Sequence, residues 1–360
     1  MAKYMKIKKS QLVFKDGTKY DGVSFGANNS VSGEVVFATG MVGYPEAITD
    51  PSFAGQILVM TYPLIGNYGV PDKSKWESDK IQISGLIVST YNETPSHATS
   101  KQTLAQWLQG EGVPALEIKD TRALTKKLRM EGSKLGKIIL NNEKINFEDP
   151  NTRNLASEVS TKKIKTYNSK GKHTIVVIDC GNKEKIVKRL VARGIKVVVV
   201  PWDTDVMKLD FKFDGVLVSN GPGDPQKVQA TIKNVKKIIA KKIPTFGICL
   251  GNQILTLACG GTTYKMKFGH RSQNQPVVLA GTKKCYLTTQ NHGFAVKKIP
   301  KDFKVWFTNA NDGTNEGIMH KNLPFMSVQF HPEATPGPND TDWILDYFFT
   351  QMKKFNKRKK

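Results

Sequence analysis

The chain is 360 residues long and carries 54 Lys plus Arg against 31 Asp plus Glu, a formal charge of +23. That length suits about two domains of roughly 150 residues each, and 39% apolar residues with 30 Gly and 17 Pro exclude a largely disordered or collagen-like polymer. Four irregularly spaced cysteines, Cys180, Cys249, Cys259 and Cys285, exclude a disulfide scaffold or a paired CxxC zinc site and point to a reducing cytoplasm.

The basic amino terminus, residues 1–10, lacks the apolar core of a signal peptide. Leu12-Val13-Phe14 and Lys19 to Val23 then read as two strands around Asp16-Gly17, a hairpin signal. Glu34 to Phe37 and Gln56 to Met60 read as further strands. A helix is predicted from Thr94 to Ser96 through Leu104, Trp107 and Leu108, stopping before Gly110, and Asp120 is placed to cap a second one carrying Leu124 and Leu128. Residues 141–171 are polar and form the expected domain boundary.

Beyond it the rhythm changes. Thr174 to Ile178, Ile195 to Val200, Gly215 to Ser219 and Pro244 to Ile248 are continuous apolar runs, separated by helical patterns over 183–193 and 228–240. Uninterrupted apolar strands alternating with helices require a parallel sheet buried on both faces, hence a doubly wound α/β domain with its site at the carboxyl ends of the strands. No apolar run approaches the roughly 18 residues needed to span a bilayer, so no membrane association is expected.

Three segments at strand ends carry chemistry. Gly247-Ile248-Cys249-Leu250-Gly251 is strand, sharp turn and helix with a thiol at its centre, the counterpart of the G-x-S-x-G elbow. A free cysteine is more often a structural core residue, but the elbow context favours a nucleophile, whose thiolate the helix amino terminus supports. His331-Pro332-Glu333 closes an apolar run, and i, i+2 spacing lets Glu333 orient His331 as the base. Ser219 to Pro225 contains Gly221-Pro222-Gly223, either a plain turn or an oxyanion-binding one. Cys180, Cys259 and Cys285 have no such setting and are expected in the core or at its boundary. The charge invites a nucleic-acid reading. However, residues 1–170 hold 23 basic and 17 acidic side chains, residues 171–360 hold 31 and 14, and six of those 31 sit in the last eight positions. With no zinc-finger spacing or RNA-stacking motif, a solvated surface and no nucleic acid are expected.

GICLGNQ at 247–253, SNGPGDP at 219–225 and HPE at 331–333 resemble the class I (triad-type) glutamine amidotransferases. Gly33 to Phe37, Thr49-Asp50-Pro51-Ser52, Thr61 to Gly69, Asp120 to Thr125, Lys267 to Arg271, Gln290 to Phe294 and Pro332 to Pro338 resemble the small, glutaminase chains of glutamine-hydrolysing carbamoyl phosphate synthetase. The resemblance implies an amino-terminal mixed β/α domain over 1–165 and a flavodoxin-like, doubly wound, mainly parallel sheet over 172–355. It implies Cys249 as nucleophile, His331 as base and Glu333 as its orienter. L-Glutamine would be held by Gly221, Gly223, Leu250, Gln253, Asn291, Gly293 and Phe294, with Ser52 reaching it from the first domain. It also implies a large synthetase chain as partner. That chain would use ATP, Mg and bicarbonate and receive ammonia through a tunnel, so this one, which has no P-loop, would bind no metal and no cofactor. Asn252 departs from the His usual in these chains. An amidotransferase of another synthetase, or a free γ-glutamyl hydrolase, would share the thiol site but not the first 170 residues.

Overall fold

The Asp16-Gly17 pair turns as its chemistry requires. Gly17 takes φ +87°, a left-handed conformation free of steric cost only for glycine, and the Phe14 N–H meets the Thr18 carbonyl at 2.9 Å. The hairpin so formed, β1 (Ser10–Phe14) and β2 (Lys19–Ser24), opens the first of two compact units, Met1–Pro150 and Asn151–Lys360. The structure, a computed structural model, describes residues 10–359, so most of the basic amino terminus and Lys360 lie outside the described residues.

In the first unit β3 (Val31–Ala38), β4 (Gln56–Met60), the short β5 (Leu64–Ile65), β6 (Gly85–Val88), the short β7 (Thr90–Tyr91), β8 (Ala115–Glu117) and β9 (Lys134–Leu140) follow. A closed barrel in the order β1-β2-β8-β6-β4-β3-β9 results, with β5 and β7 paired separately. Three helices, α1 (Tyr44–Thr49), α2 (Leu104–Gly110) and α3 (Thr121–Glu131), accompany it. Asp120 caps α3 by accepting the Ala123 N–H at 2.8 Å, and Leu124 and Leu128 are buried as expected. The first predicted helix starts later than its periodicity suggested. Thr103 and Gln106 form a capping box (3.1 and 2.9 Å), while Lys101 and Gln102 bond in extended fashion to Val70, so residues 94–102 are not helical.

The second unit begins with α4 (Leu155–Val159) and β10 (Lys165–Tyr167). Ala156 packs with Val176 and Ile178, so the division falls inside the polar 141–171 stretch but ahead of 165. Then come β11 (His173–Asp179), α5 (Glu184–Ala192), β12 (Ile195–Pro201), β13 (Gly215–Val218), α6 (Gln229–Ala240), β14 (Thr245–Ile248) and α7 (Leu250–Ala258). Next are β15 (Thr262–Leu279), β16 (Cys285–Lys298), β17 (Phe303–Asn309), β18 (Asn315–His320), β19 (Phe325–Val328) and α8 (Trp343–Lys359). Strands β12-β11-β13-β14-β19 are parallel, in the flavodoxin-like order. Side chains of β11 alternate between two cores: Ile175 and Val177 pack with α5 and α8, and Val176 and Ile178 with α6 and α7. That is the doubly wound arrangement, with β10 and an antiparallel β18-β16-β15-β17 extension at its edges. Cys180 is buried and Cys259 half-buried, but Cys285, at the start of β16, is exposed and thus outside both core and boundary.

Candidate active site

Cys249 follows β14 and is the N-cap of α7, with φ 53° and ψ −103°, a backbone conformation that L-residues rarely hold. Its N–H is tied to the Val328 carbonyl at 2.9 Å. The two glycines of G-x-C-x-G make this turn possible. A Cβ on Gly247 would lie 2.5 Å from the Gly251 carbonyl oxygen, and one on Gly251 only 2.1 Å from that of Val218. Leu250, the first residue of α7, presents an N–H that the helix ladder leaves without a partner.

The predicted base and its orienter come together at the end of β19. His331 Nδ1 lies 2.7 Å from Glu333 Oε1, and both side chains are fully buried. Pairing the His331 N–H with the Thr289 carbonyl (2.9 Å) anchors this segment to β16. His331 Nε2 is buried with no hydrogen-bond partner, and the Cys249 side chain is near enough to act on the ring. Burial works against a charged imidazole. The Glu333 carboxylate outweighs both burial and repulsion by Lys183, and raises the ring above its ordinary value.

Lys183 is the member the sequence did not reveal. Its side chain is 1% exposed, its Nζ lies 3.2 Å from Glu333 Oε1, and it donates to the carbonyls of Ala334 (2.9 Å) and Thr335 (2.8 Å). Burial pushes the Glu333 carboxyl up, but Lys183 and His331 pull harder and hold it below the usual carboxylate range. Lysine is so rarely buried that its place just before α5 reads as solvated. A thiol, a polarised imidazole and a shared pair of charges around one carboxylate can deliver a nucleophile and move a proton.

The remaining expected positions of this unit lie in the turn after β13, on α7 and on β16. Gly221 packs so closely that a Cβ would sit 2.0 Å from the Cys180 carbonyl oxygen, and Gly223 takes φ +81°. The Asn291 carbonyl is 3.9 Å from Cys249 Sγ, and Gln253 Nε2 donates to the Phe294 carbonyl at 2.7 Å. Gly293 lies between those two carbonyl-bearing residues on β16. Ser52 belongs to the first unit, in the turn Pro51–Phe53, where its N–H is held by Asp50 Oδ1 at 2.9 Å. Two further side chains meet here: Gln329, unnoticed in the sequence, whose Nε2 is 3.6 Å from Cys249 Sγ, and Asn252, noted above only as a departure from histidine, which donates to Gln329 Oε1 at 3.1 Å. Among the described residues, one group has metal-ligand geometry: His270, His292 and Glu316, all buried, with ligand atoms within 4.8 Å of one another. Both rings are engaged within the protein, since Gln290 bridges them at 2.9 and 3.0 Å and Asp312 holds the far side of His270 at 2.9 Å, whereas Glu316 Oε2 is buried without a hydrogen-bond partner.

Comparison with known proteins assigns both units. Residues 176–351 match the family model for glutamine amidotransferase class-I, and residues 12–138 match that for the carbamoyl-phosphate synthase small chain, CPSase domain. The arginine-specific carbamoyl phosphate synthase small chain of Saccharomyces cerevisiae is 45% identical over 96% of this chain and 89% of its own length. The chain belongs to the carbamoyl phosphate synthase small-chain family. Longer proteins carry the same region. The multifunctional protein CAD of Squalus acanthias is 51% identical over 94% of this chain, and the mitochondrial carbamoyl-phosphate synthase [ammonia] of Homo sapiens is 48% identical over 97%. This small chain spans 16% and 24% of those two relatives. No helix among its described residues is long and apolar enough to cross a membrane.

Proposed function

We propose that this small chain is the glutaminase subunit of a carbamoyl phosphate synthase. The observation carrying the reading is the buried Cys249–His331–Glu333 constellation on a strained elbow. In this reaction Cys249 passes its proton to His331 Nε2 and its sulfur attacks the side-chain carbonyl of L-glutamine. The Leu250 N–H and the Gly221–Gly223 turn stabilise the oxyanion. His331 returns the proton to the departing nitrogen, ammonia leaves, and a γ-glutamyl thioester remains on Cys249. His331 then deprotonates a water that attacks the thioester, releasing glutamate and restoring the thiol. Glutamine is held by Gly221, Gly223, Leu250, Gln253, Asn291, Gly293 and Phe294.

The ammonia passes to a large synthetase chain that uses ATP, Mg and bicarbonate, in a cytoplasm that keeps the four cysteines reduced. The human relative's name specifies ammonia rather than glutamine; the complete triad here favours glutamine for this chain. With the large chain present, Cys249→Ala should abolish glutamine-dependent carbamoyl phosphate formation and leave ammonia-dependent synthesis intact. Continued glutamine hydrolysis by the variant would show that another group is the nucleophile.

A further inference from the structure

Gln329, wholly buried between β19 and His331, owes the orientation of its amide to hydrogen bonds that end on a backbone carbonyl. The Phe294 carbonyl can only accept, so the Gln253 atom 2.7 Å from it is Nε2. The second proton on that Nε2 meets Gln329 at 3.1 Å, so the atom facing it is Oε1. Asn252 Nδ2 donates to the same oxygen at 3.1 Å, while Asn252 Oδ1 accepts from Ser327 Oγ at 2.8 Å. With Oε1 taken by two donors, Gln329 Nε2 must face the Cys249 sulfur, at 3.6 Å. In the neutral thiol the S–H points elsewhere, to the Asn291 carbonyl at 3.9 Å.

We infer that Gln329 is a catalytic residue of the glutaminase reaction proposed above: its Nε2–H hydrogen-bonds the Cys249 sulfur and stabilises the thiolate. A donor gains more from a charged acceptor than from a neutral one, so this contact strengthens as the sulfur loses its proton. The amide does not titrate, and it leaves His331 free to carry the proton and Leu250 to meet the oxyanion. It also joins Gln253, a proposed glutamine contact, to the nucleophile through a single intervening side chain. Asn252, at the position where histidine is usual, is part of the same bracket, because it helps to hold the Gln329 oxygen away from sulfur.

The test reads the ultraviolet thiolate signal of Cys249 against pH. It is taken as the difference between the full chain and its Cys249→Ser variant, in the native background and in Gln329→Met and Gln329→Glu. Loss of the donor in Gln329→Met should move the thiolate midpoint up by about one pH unit. The isosteric Gln329→Glu, which turns a carboxylate toward the sulfur, should move it further. Unchanged midpoints in the folded variants, or a Glu shift smaller than the Met shift, would overturn the inference. Glutamine turnover by the native chain with its large partner is measured alongside. If turnover is absent while the midpoints still move, the functional reading fails and the hydrogen bond to sulfur stands.

Discussion

Glu333 has no exposed surface, yet it stays ionised because Lys183 and His331 share its charge at 3.2 and 2.7 Å. The pH dependence of stability follows from the directions of the shifts. His331 is raised in the folded state, so its contribution is fully present below the ordinary imidazole value of 6.5 and is lost as pH climbs toward the raised native value. Glu333 is depressed, so its contribution is present above the ordinary 4.5 and is lost as pH falls through the lower native value. Thermal unfolding midpoints of the native chain and His331→Gln should therefore differ most between these two ordinary values and converge in alkali; a gap that widens toward alkaline pH would contradict the charged pair. Cys249 was legible from the glycines that flank it, and His331 and Glu333 from their i, i+2 spacing. Lys183 and Gln329 were not, since each matters only through partners more than seventy positions away in the chain.

The elbow joins β14 to α7; Gly251 is fixed by the close approach of α7 to the neighbouring strand β13, and Gly247 by its approach to the first turn of α7. Gly251→Ala would drive a methyl into the Val218 carbonyl at 2.1 Å, and backbone cannot yield as a flexible side chain can. We expect a loss of about 1–3 kcal/mol in urea unfolding together with collapse of glutaminase activity; an unchanged unfolding midpoint would mean that helix and strand separate readily. The apolar runs of the parallel strands were readable because burial on both faces permits no polar residue there. The first predicted helix was placed too early because periodicity takes no account of the capping box at Thr103. The β15–β18 extension escaped notice because its strands mix lysines, glutamines and asparagines with register breaks, which blurs the two-residue alternation.

The +23 charge remains a surface property, with the catalytic chemistry confined to a few buried groups. In α8 the anchoring side chains Ile344, Leu345, Phe348 and Met352 are buried, whereas Lys353 and Lys354 are exposed. Removal of residues 357–360 should thus leave the unfolding midpoint within about 0.5 kcal/mol of the intact chain. If the proposed large chain docks through an acidic face, the truncation should weaken that association only at low salt; dissociation at every ionic strength would assign the tail a structural part in docking.

The amino-acid sequence settled the doubly wound class of the second unit, the elbow and the His-x-Glu pair, because strand burial and sharp turns impose residue types at short range. Tertiary structure alone decided the barrel closure of the first unit, the buried Lys183 beneath Glu333 and the Gln253–Gln329–Cys249 chain of hydrogen bonds. These depend on which distant segments meet, and whether a lysine or a glutamine is buried is known only once they have met.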